Sequence, residues 1–540
     1  MRKRGAGLLA FVASCRVRCT TRRSLRCSEV MRGCFTATTS IVALLSFLAC
    51  SDDGAGNAPT MVGAEGGLPA DASAPGDSSV TWVRAFSSTG DVTILDAKAV
   101  GLAAAGVYVL GRADAPVTDA DGTELPFGSG YFLACLDGDG KTRWAKSLAG
   151  AAGAVLDDVH FAVADRLRSG LLVSTVWHTA VGGGLSYDAQ RLAITSPPTG
   201  VRYTTLLEIA LEDGKGSAPR NLTSDDGQAS FDSSAIGVVQ GGPVVFGRLS
   251  SGQMTMAEHV VHPGYAAFND GQRRWFAELA GAGTATMVGS ANVYFQRTVM
   301  AGTVTGSLAF PELPTTPAPT GSTSGWLTTG SYELRAVFGT RLLSSTSFDG
   351  QPTAVTLSDI EAAPEGSVGA AVVGQFRGNA TWRRIESGQT IDEASVQVGD
   401  GKGREPATVL SSFIDNVMVA RAILDGDTPA AKSVAIGGDG KTVLYGGSFS
   451  STVDYGTGPV TSAGDTDGVV AIYDRTLATA KRTFQIGGAG KDSVKGLGVD
   501  TDGAAIVVGE ITGDATFPGG NHVVTPGGRR GFYVMKLGID

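Results

Sequence analysis

The sequence predicts an all-β fold, a single β-propeller of seven four-stranded blades closed by its own N-terminal strand. Three observations carry this. First, landmarks recur at one offset. Gly440 and Gly503, Gly446 and Gly509, and Gly468 and Gly531 are each 63 residues apart. Second, each repeat breaks into short β-branched or aromatic runs separated by Gly/Asp/Asn turns, four runs per unit. Four antiparallel strands repeated four to eight times is the pattern of a propeller. Third, the body opens with TWVRAF (81–86), which matches the aromatic-led fourth strand of a unit. It ends on GFYVMKLGID (531–540), which supplies a third strand and no fourth. Residues 81–87 should therefore pair with 531–538.

The composition agrees. Glycine accounts for 77 of 540 residues without a G-X-Y period, 18% of residues are charged and 42% are hydrophobic. Such a chain can bury a large core, and collagen is excluded. Lysine and arginine are too sparse for a nucleic-acid-binding face.

In chain order, residues 1–49 read as an address. Residues 1–33 hold nine basic groups and one acid, and residues 35–49 (FTATTSIVALLSFLA) form a short apolar stretch ending at Ala49-Cys50. A basic flank, a short apolar run and a small residue before the cut make a signal peptide. Met31 offers a second start, with MRGC as its lead. Residues 50–80 are rich in Gly, Ala, Pro, Asp and Ser, and read as a tether. From Cys50 on, the chain carries 34 basic and 51 acidic residues, a net −17. Such a body repels nucleic acid and anionic lipid.

The junction at Cys50 resembles the bacterial lipobox, with Phe47 where leucine is usual and Leu48 where a smaller residue is usual. The resemblance implies a lipid on Cys50. Ser51, rather than aspartate, follows the cysteine, which in such lipoproteins implies the outer membrane of a Gram-negative bacterium.

Within the body, 81–540, strand-closing positions fall near residues 111, 175, 247, 297, 374, 446 and 509, with the second and fourth units degraded. An aromatic follows the closing glycine (Phe127, Phe310, Trp382, Tyr455, Phe517). An aromatic-led fourth strand follows the third (Trp144, Trp275, Phe484). Segments 184–200, 311–330 and 384–407 read as loops on one rim. This pattern resembles the bacterial seven-bladed β-propeller repeat family, common in surface lipoproteins of the myxobacterial type. The resemblance implies the fold and very little about activity.

Catalytic motifs are sparse. His160, His178, His259, His262 and His522 form no zincin, and HVVH (259–262) lacks its glutamate and spacing. GLSYD (184–188) and GSTSG (321–325) fail as nucleophile elbows. Gly440-Lys441-Thr442 reads as a hairpin turn. DGDG (137–140) and DTDG (500–503) read as Asp-Gly turns before calcium loops. Cys135 is the only cysteine after Cys50, so paired-thiolate metal sites are excluded. No cofactor is called for. A recurring aspartate is the one candidate site: Asp96, Asp157, Asp232, Asp359 and Asp492 would form an acidic ring at a channel mouth, or each would cap its own turn. The expected function is a non-enzymatic surface lipoprotein, tied to the membrane by its lipid, that presents a propeller face to a protein or glycan ligand. The alternative is an extracytoplasmic propeller enzyme: a quinoprotein-like dehydrogenase, a lyase or a glycosidase.

Overall fold

The computed structural model describes residues 80–539, except 101–105, 120, 165–169, 181, 218, 240–241, 257–258, 270–273, 294–296, 310–315, 318–322, 332–336, 347–350, 363–368, 387–388, 398–405, 415–416, 424–431, 520–522 and 525–529. The leader, Cys50 and the tether lie outside the described residues. Every regular element among the described residues is a strand.

Seven antiparallel blades follow one another. Blade 1 is built from Val92–Val100, Gly106–Ala113, Gly130–Leu136 and Thr142–Ala151. Blade 2 uses Ala154–Ala164, Gly170–Thr179, Arg202–Ala210 and Arg220–Leu222. Blade 3 uses Phe231–Val239, Gly242–Leu249, Gly264–Asn269 and the first part of the long strand Arg274–Val293. The rest of that strand opens blade 4, followed by Arg297–Ala309, Thr323–Ser331 and Val337–Thr346. Blade 5 holds Thr356–Ala362, Gly369–Arg377, Pro406–Ile414 and Val417–Ile423. Blade 6 holds Ser433–Ile436, Thr442–Phe449, Asp467–Asp474 and Ala480–Gly488. Blade 7 joins Ser493–Val499, Ala505–Thr512 and Arg530–Leu537 to Val80–Ser88, the first strand of the chain.

The closure has the register the sequence predicts, from Trp82 opposite Lys536 to Phe86 opposite Phe532. Phe86 and Phe532 stack at 4.3 Å, both buried, and Phe132 of blade 1 lies beside Phe532. The inner strand of each blade touches that of the next, and that of blade 7 touches that of blade 1. Small residues permit the approach: a Cβ on Gly496 would meet Ala97 at 2.6 Å.

The repeating landmarks have physical causes. The closing glycine of the second strand lies opposite an aromatic of the third: Gly111 opposite Phe132, Gly302 opposite Trp326, Gly509 opposite Tyr533. The ring lies across the glycine, and a Cβ on Gly302 would sit 2.6 Å from the Trp326 indole. In degraded blade 2 a buried tryptophan, Trp177, takes the glycine's place opposite Leu156. In blade 4 the equivalent residue is Gly302, opposite Met287, rather than a position near 297.

The aromatic after the glycine belongs to a strap. In blades 1, 2, 5 and 7 the connection between second and third strands reaches sideways and pairs with the outer strand of the preceding blade. Val117–Thr118 of blade 1 pairs with Val80–Ser88, Gly184–Tyr187 of blade 2 with Thr142–Ala151, and Ala515–Thr516 of blade 7 with Ala480–Gly488. Asn379–Glu386 of blade 5 pairs with Val337–Thr346 and brings Gln389–Gln397 with it. Three expected loops are corrected here. The strap strands Gly184–Tyr187 and Gln190–Arg191 lie within 184–200. Much of 384–407 is the blade 5 hairpin, because it pairs with the outer edge of another blade. Likewise Thr323–Ser331, inside the expected loop 311–330, is the central third strand of blade 4. Phe127, Trp382, Tyr455 and Phe517 sit on straps and are buried.

The opposite face is sealed by Asp-Gly turns. Asp137 Oδ1 accepts the Asp139 and Lys141 amides, and Asp500 Oδ1 accepts those of Asp502 and Ala504. Gly140 turns with φ +75°, and the Trp82 ring of blade 7 lies on it while Trp82 Nε1 donates to Gly138 O at 3.0 Å. Trp144 of blade 1 repeats this on blade 2, donating to Leu211 O at 2.9 Å.

Phe86→Ala should cost ~3–5 kcal/mol, because it opens a cavity at the seam. Gly140→Ala should cost less but measurably, through its positive φ and the Trp82 contact. Urea unfolding followed by tryptophan fluorescence measures both. An unchanged midpoint for Phe86→Ala would contradict the closure.

Candidate functional site

The site lies where the inner strands meet the axis, and a repeated bulge builds it. In six blades the pairing of first and second strands slips by one residue, leaving Leu95, Asp157, Ser234, Val288, Ser358 and Lys495 unpaired. Blade 6 pairs without a slip from Ser433 opposite Gly446, and Lys432 immediately precedes its first strand. In blades 5 and 6 a side chain of the first strand bonds to the next blade. Asp359 Oδ2 accepts from Ser433 Oγ and the Val434 amide, and Ser433 Oγ accepts from the Leu497 amide. A bulge re-aims the side chains on either side of it. Here it turns one set toward the mouth and the next toward the axis.

The axial set is Asp96, Asp158, Ala235, Gly289, Asp359, Ser433 and Gly496. Two residues further come Lys98, His160 and Glu361. Lys98 of blade 1 crosses to blade 5 and binds Asp359 at 3.3 Å. His160 Nε2 lies 3.1 Å from Asp158 Oδ2. Asp96 also accepts the Ala97 amide. Burial pushes the Asp96 carboxyl up to about 6, and Asp359 adds to this while Lys98 and His160 oppose it. Burial works against the Lys98 ammonium, but Asp359, Asp96 and Glu361 outweigh it and raise its pKa. On Asp158, burial is outweighed by His160 and the Val159 amide, so its carboxyl is lowered.

Of the five aspartates singled out in the sequence, Asp96 and Asp359 come together on the axis through Lys98. Asp157 is a bulge residue. Its Oδ2 meets His178 Nδ1 at 2.9 Å and Arg202 Nε at 3.2 Å. Arg202 also reaches Asp232, at 3.7 Å, so these two aspartates share an arginine on the rim. Asp232 is raised by burial, with Arg202 opposing. Asp492 is buried in the turn before blade 7, where it accepts the Gly488 and Thr512 amides at 2.7 and 2.9 Å. Burial raises its carboxyl to about 6. The axis thus holds three aspartates at one level, Asp96, Asp158 and Asp359, with Lys98 and His160 among them. Sequence reading missed Asp158, Lys98, His160 and Glu361. The signal present was a charged residue two after an inner-strand aspartate: D-x-K, D-x-H and D-x-E.

The mouth one level above is differently charged. Lys495 Nζ pairs with Glu510 Oε2 at 3.2 Å, and Glu510 Oε1 accepts the Ile94 amide at 2.7 Å. Glu510 follows closing Gly509, and Thr303, which follows Gly302, serves the Leu357 amide in the same way.

No family model and no curated protein sequence matches the chain. Among solved structures it is similar to the Dos1 propeller, at 9% identity and a TM-score of 0.37 over 84% of this chain and 93% of that one. It is also similar to the NanB sialidase of Streptococcus pneumoniae, at 9% identity and a TM-score of 0.28 over 84% and 94%. A europium-containing methanol dehydrogenase matches at 7% identity and a TM-score of 0.32 over 85% and 93%. They are a propeller, a sialidase and a dehydrogenase, and at these scores they carry no argument about activity.

Asp96 and Asp492 hold protons more tightly when folded than a free carboxyl does. Their protonated forms therefore favour the fold, and this contribution is lost as pH rises from about 4 through about 6. The melting temperature should fall across that window. Asp96→Asn, which removes the group facing Lys98, Asp359 and His160, should flatten part of the fall. An unaltered pH profile in that variant would refute the assignment.

Proposed function

We propose that this chain is a non-enzymatic binding propeller, carried outside the cytoplasm on a lipid at Cys50, and that it binds through the strap-bearing face. The carrying observation is the asymmetry of the two faces. On one face the carboxylates of Asp137 and Asp500 accept their own turn amides and Asp500 also holds Lys536, while Trp82 covers the 137–140 turn and Trp144 the turn at 211–214. On the other face the straps of blades 1, 2, 5 and 7 pair with the outer strand of the preceding blade, and this face carries the axial mouth. A frame fixed by paired strands holds side chains at defined positions, which a binding surface requires. The basic leader, apolar run and Ala49-Cys50 support the anchor. The composition of 50–80 supports a tether, and the outer membrane is the destination that Ser51 favours.

The enzymatic reading has one observation in its favour. Asp96, with its carboxyl near 6, shares Lys98 with Asp359, and paired carboxyls with separated pKa values can serve as acid and base. Lys98 stands between them and neutralises one, which favours a structural part for the group.

Cells expressing the wild type and fed a labelled fatty acid should yield a labelled protein in the membrane fraction. Cys50→Ser should be unlabelled and should leave it. Labelling that survives this change would overturn the anchor.

A further inference from the structure

The mouth holds charges that the axial cluster does not use. Lys495 and Leu95 are the bulge residues of blades 7 and 1. Lys432 comes 63 residues before Lys495 and immediately precedes the first strand of blade 6, where the Oγ of its neighbour Ser433 accepts the Leu497 amide of blade 7. Glu510 joins them: it pairs with Lys495, and its other oxygen accepts the amide of Ile94, the neighbour of Leu95. Its single charge is thus already shared. Lys432 is exposed, and no carboxylate partner is found for it among the described residues. Burial by the surrounding wall lowers its pKa, the Lys495 ammonium lowers it further, and Glu510 only partly opposes them. Two ammonium groups against one carboxylate leave a local positive charge in a body of net −17. Next to them, Leu95 is 45% exposed, one of four large apolar side chains so exposed among the described residues. Val155, 50% exposed, follows on blade 2. Exposed apolar surface on Leu95 beside these ammonium groups suits one kind of occupant, with an anionic head and an apolar part.

We propose that this mouth binds a small amphipathic carboxylate, its anionic head between Lys432 and Lys495 and its hydrocarbon part on Leu95 and Val155. This deepens the binding reading and rests on it.

Calorimetric titration of the full chain with octanoate tests this, with acetate and octylamine as comparison probes. Octanoate should bind with measurable heat, acetate at least 10-fold more weakly for want of an apolar part, and octylamine not at all. Lys432→Gln should weaken octanoate at least 10-fold, and Leu95→Ser several-fold. Both residues are exposed, so both variants should melt as the wild type does; a variant that does not is replaced by Lys432→Arg, which should retain binding. Octanoate binding that is equal in wild type and Lys432→Gln, or matched by octylamine, would overturn the site. If octanoate fails while a defined partner binds the strap face of wild type and Lys432→Gln alike, this site falls and the binding function stands. If neither binds, both fall.

Discussion

The molecule depends on one constraint: no blade can stand alone. A single four-stranded sheet exposes two apolar faces and two unpaired edges, and its burial cannot offset the entropy of ordering it. The ring resolves this only if it is complete. The pairing of Val80–Ser88 with Arg530–Leu537 is therefore the step on which the other contacts depend. The seam is also the point where an aromatic stack bridges the chain ends and reaches into blade 1 through Phe132. The axial cluster follows from closure too, since Lys98 and Asp359 belong to blades that face each other only in a closed circle.

Much of this was legible in the sequence. Glycine spacing gave the unit, and the missing fourth strand of the last unit gave the seam. The strap aromatics were visible as a landmark, but their sideways pairing was not. It depends on hydrogen bonds to a strand dozens of residues away, and nothing in local alternation names the partner. For the same reason, residues in 384–407 read as loop although they form strand: their partner is the outer edge of another blade.

The candidate site was half legible, for a reason that can be stated residue by residue. Asp96, Asp232 and Asp359 each precede a closing glycine by fifteen residues. Equal spacing along the chain is equal position in the sheet only if the intervening hairpins are equally long. In blade 3 the hairpin joins Val239 to Gly242, whereas in blade 1 it joins Val100 to Gly106. Asp232 therefore faces Arg248, while Asp96 faces Leu110 and Asp359 faces Val373. The bulge adds a second slip, which puts Asp157 at the mouth and its neighbour Asp158 on the axis. Register, and not residue type, decided which aspartates met.

The straps have a consequence for how such a chain can change over generations. Blades 1, 2, 5 and 7 each carry, inside their own stretch of sequence, the clasp that fastens them to the blade before. A stretch copied or lost in frame brings or removes both a wedge of the circle and its fastening. Neighbours then meet surfaces of the kind they met before. Growth and shrinkage by whole units is thus an open route for this architecture, whereas an insertion inside a first strand would shift the bulge and scramble everything that faces the centre.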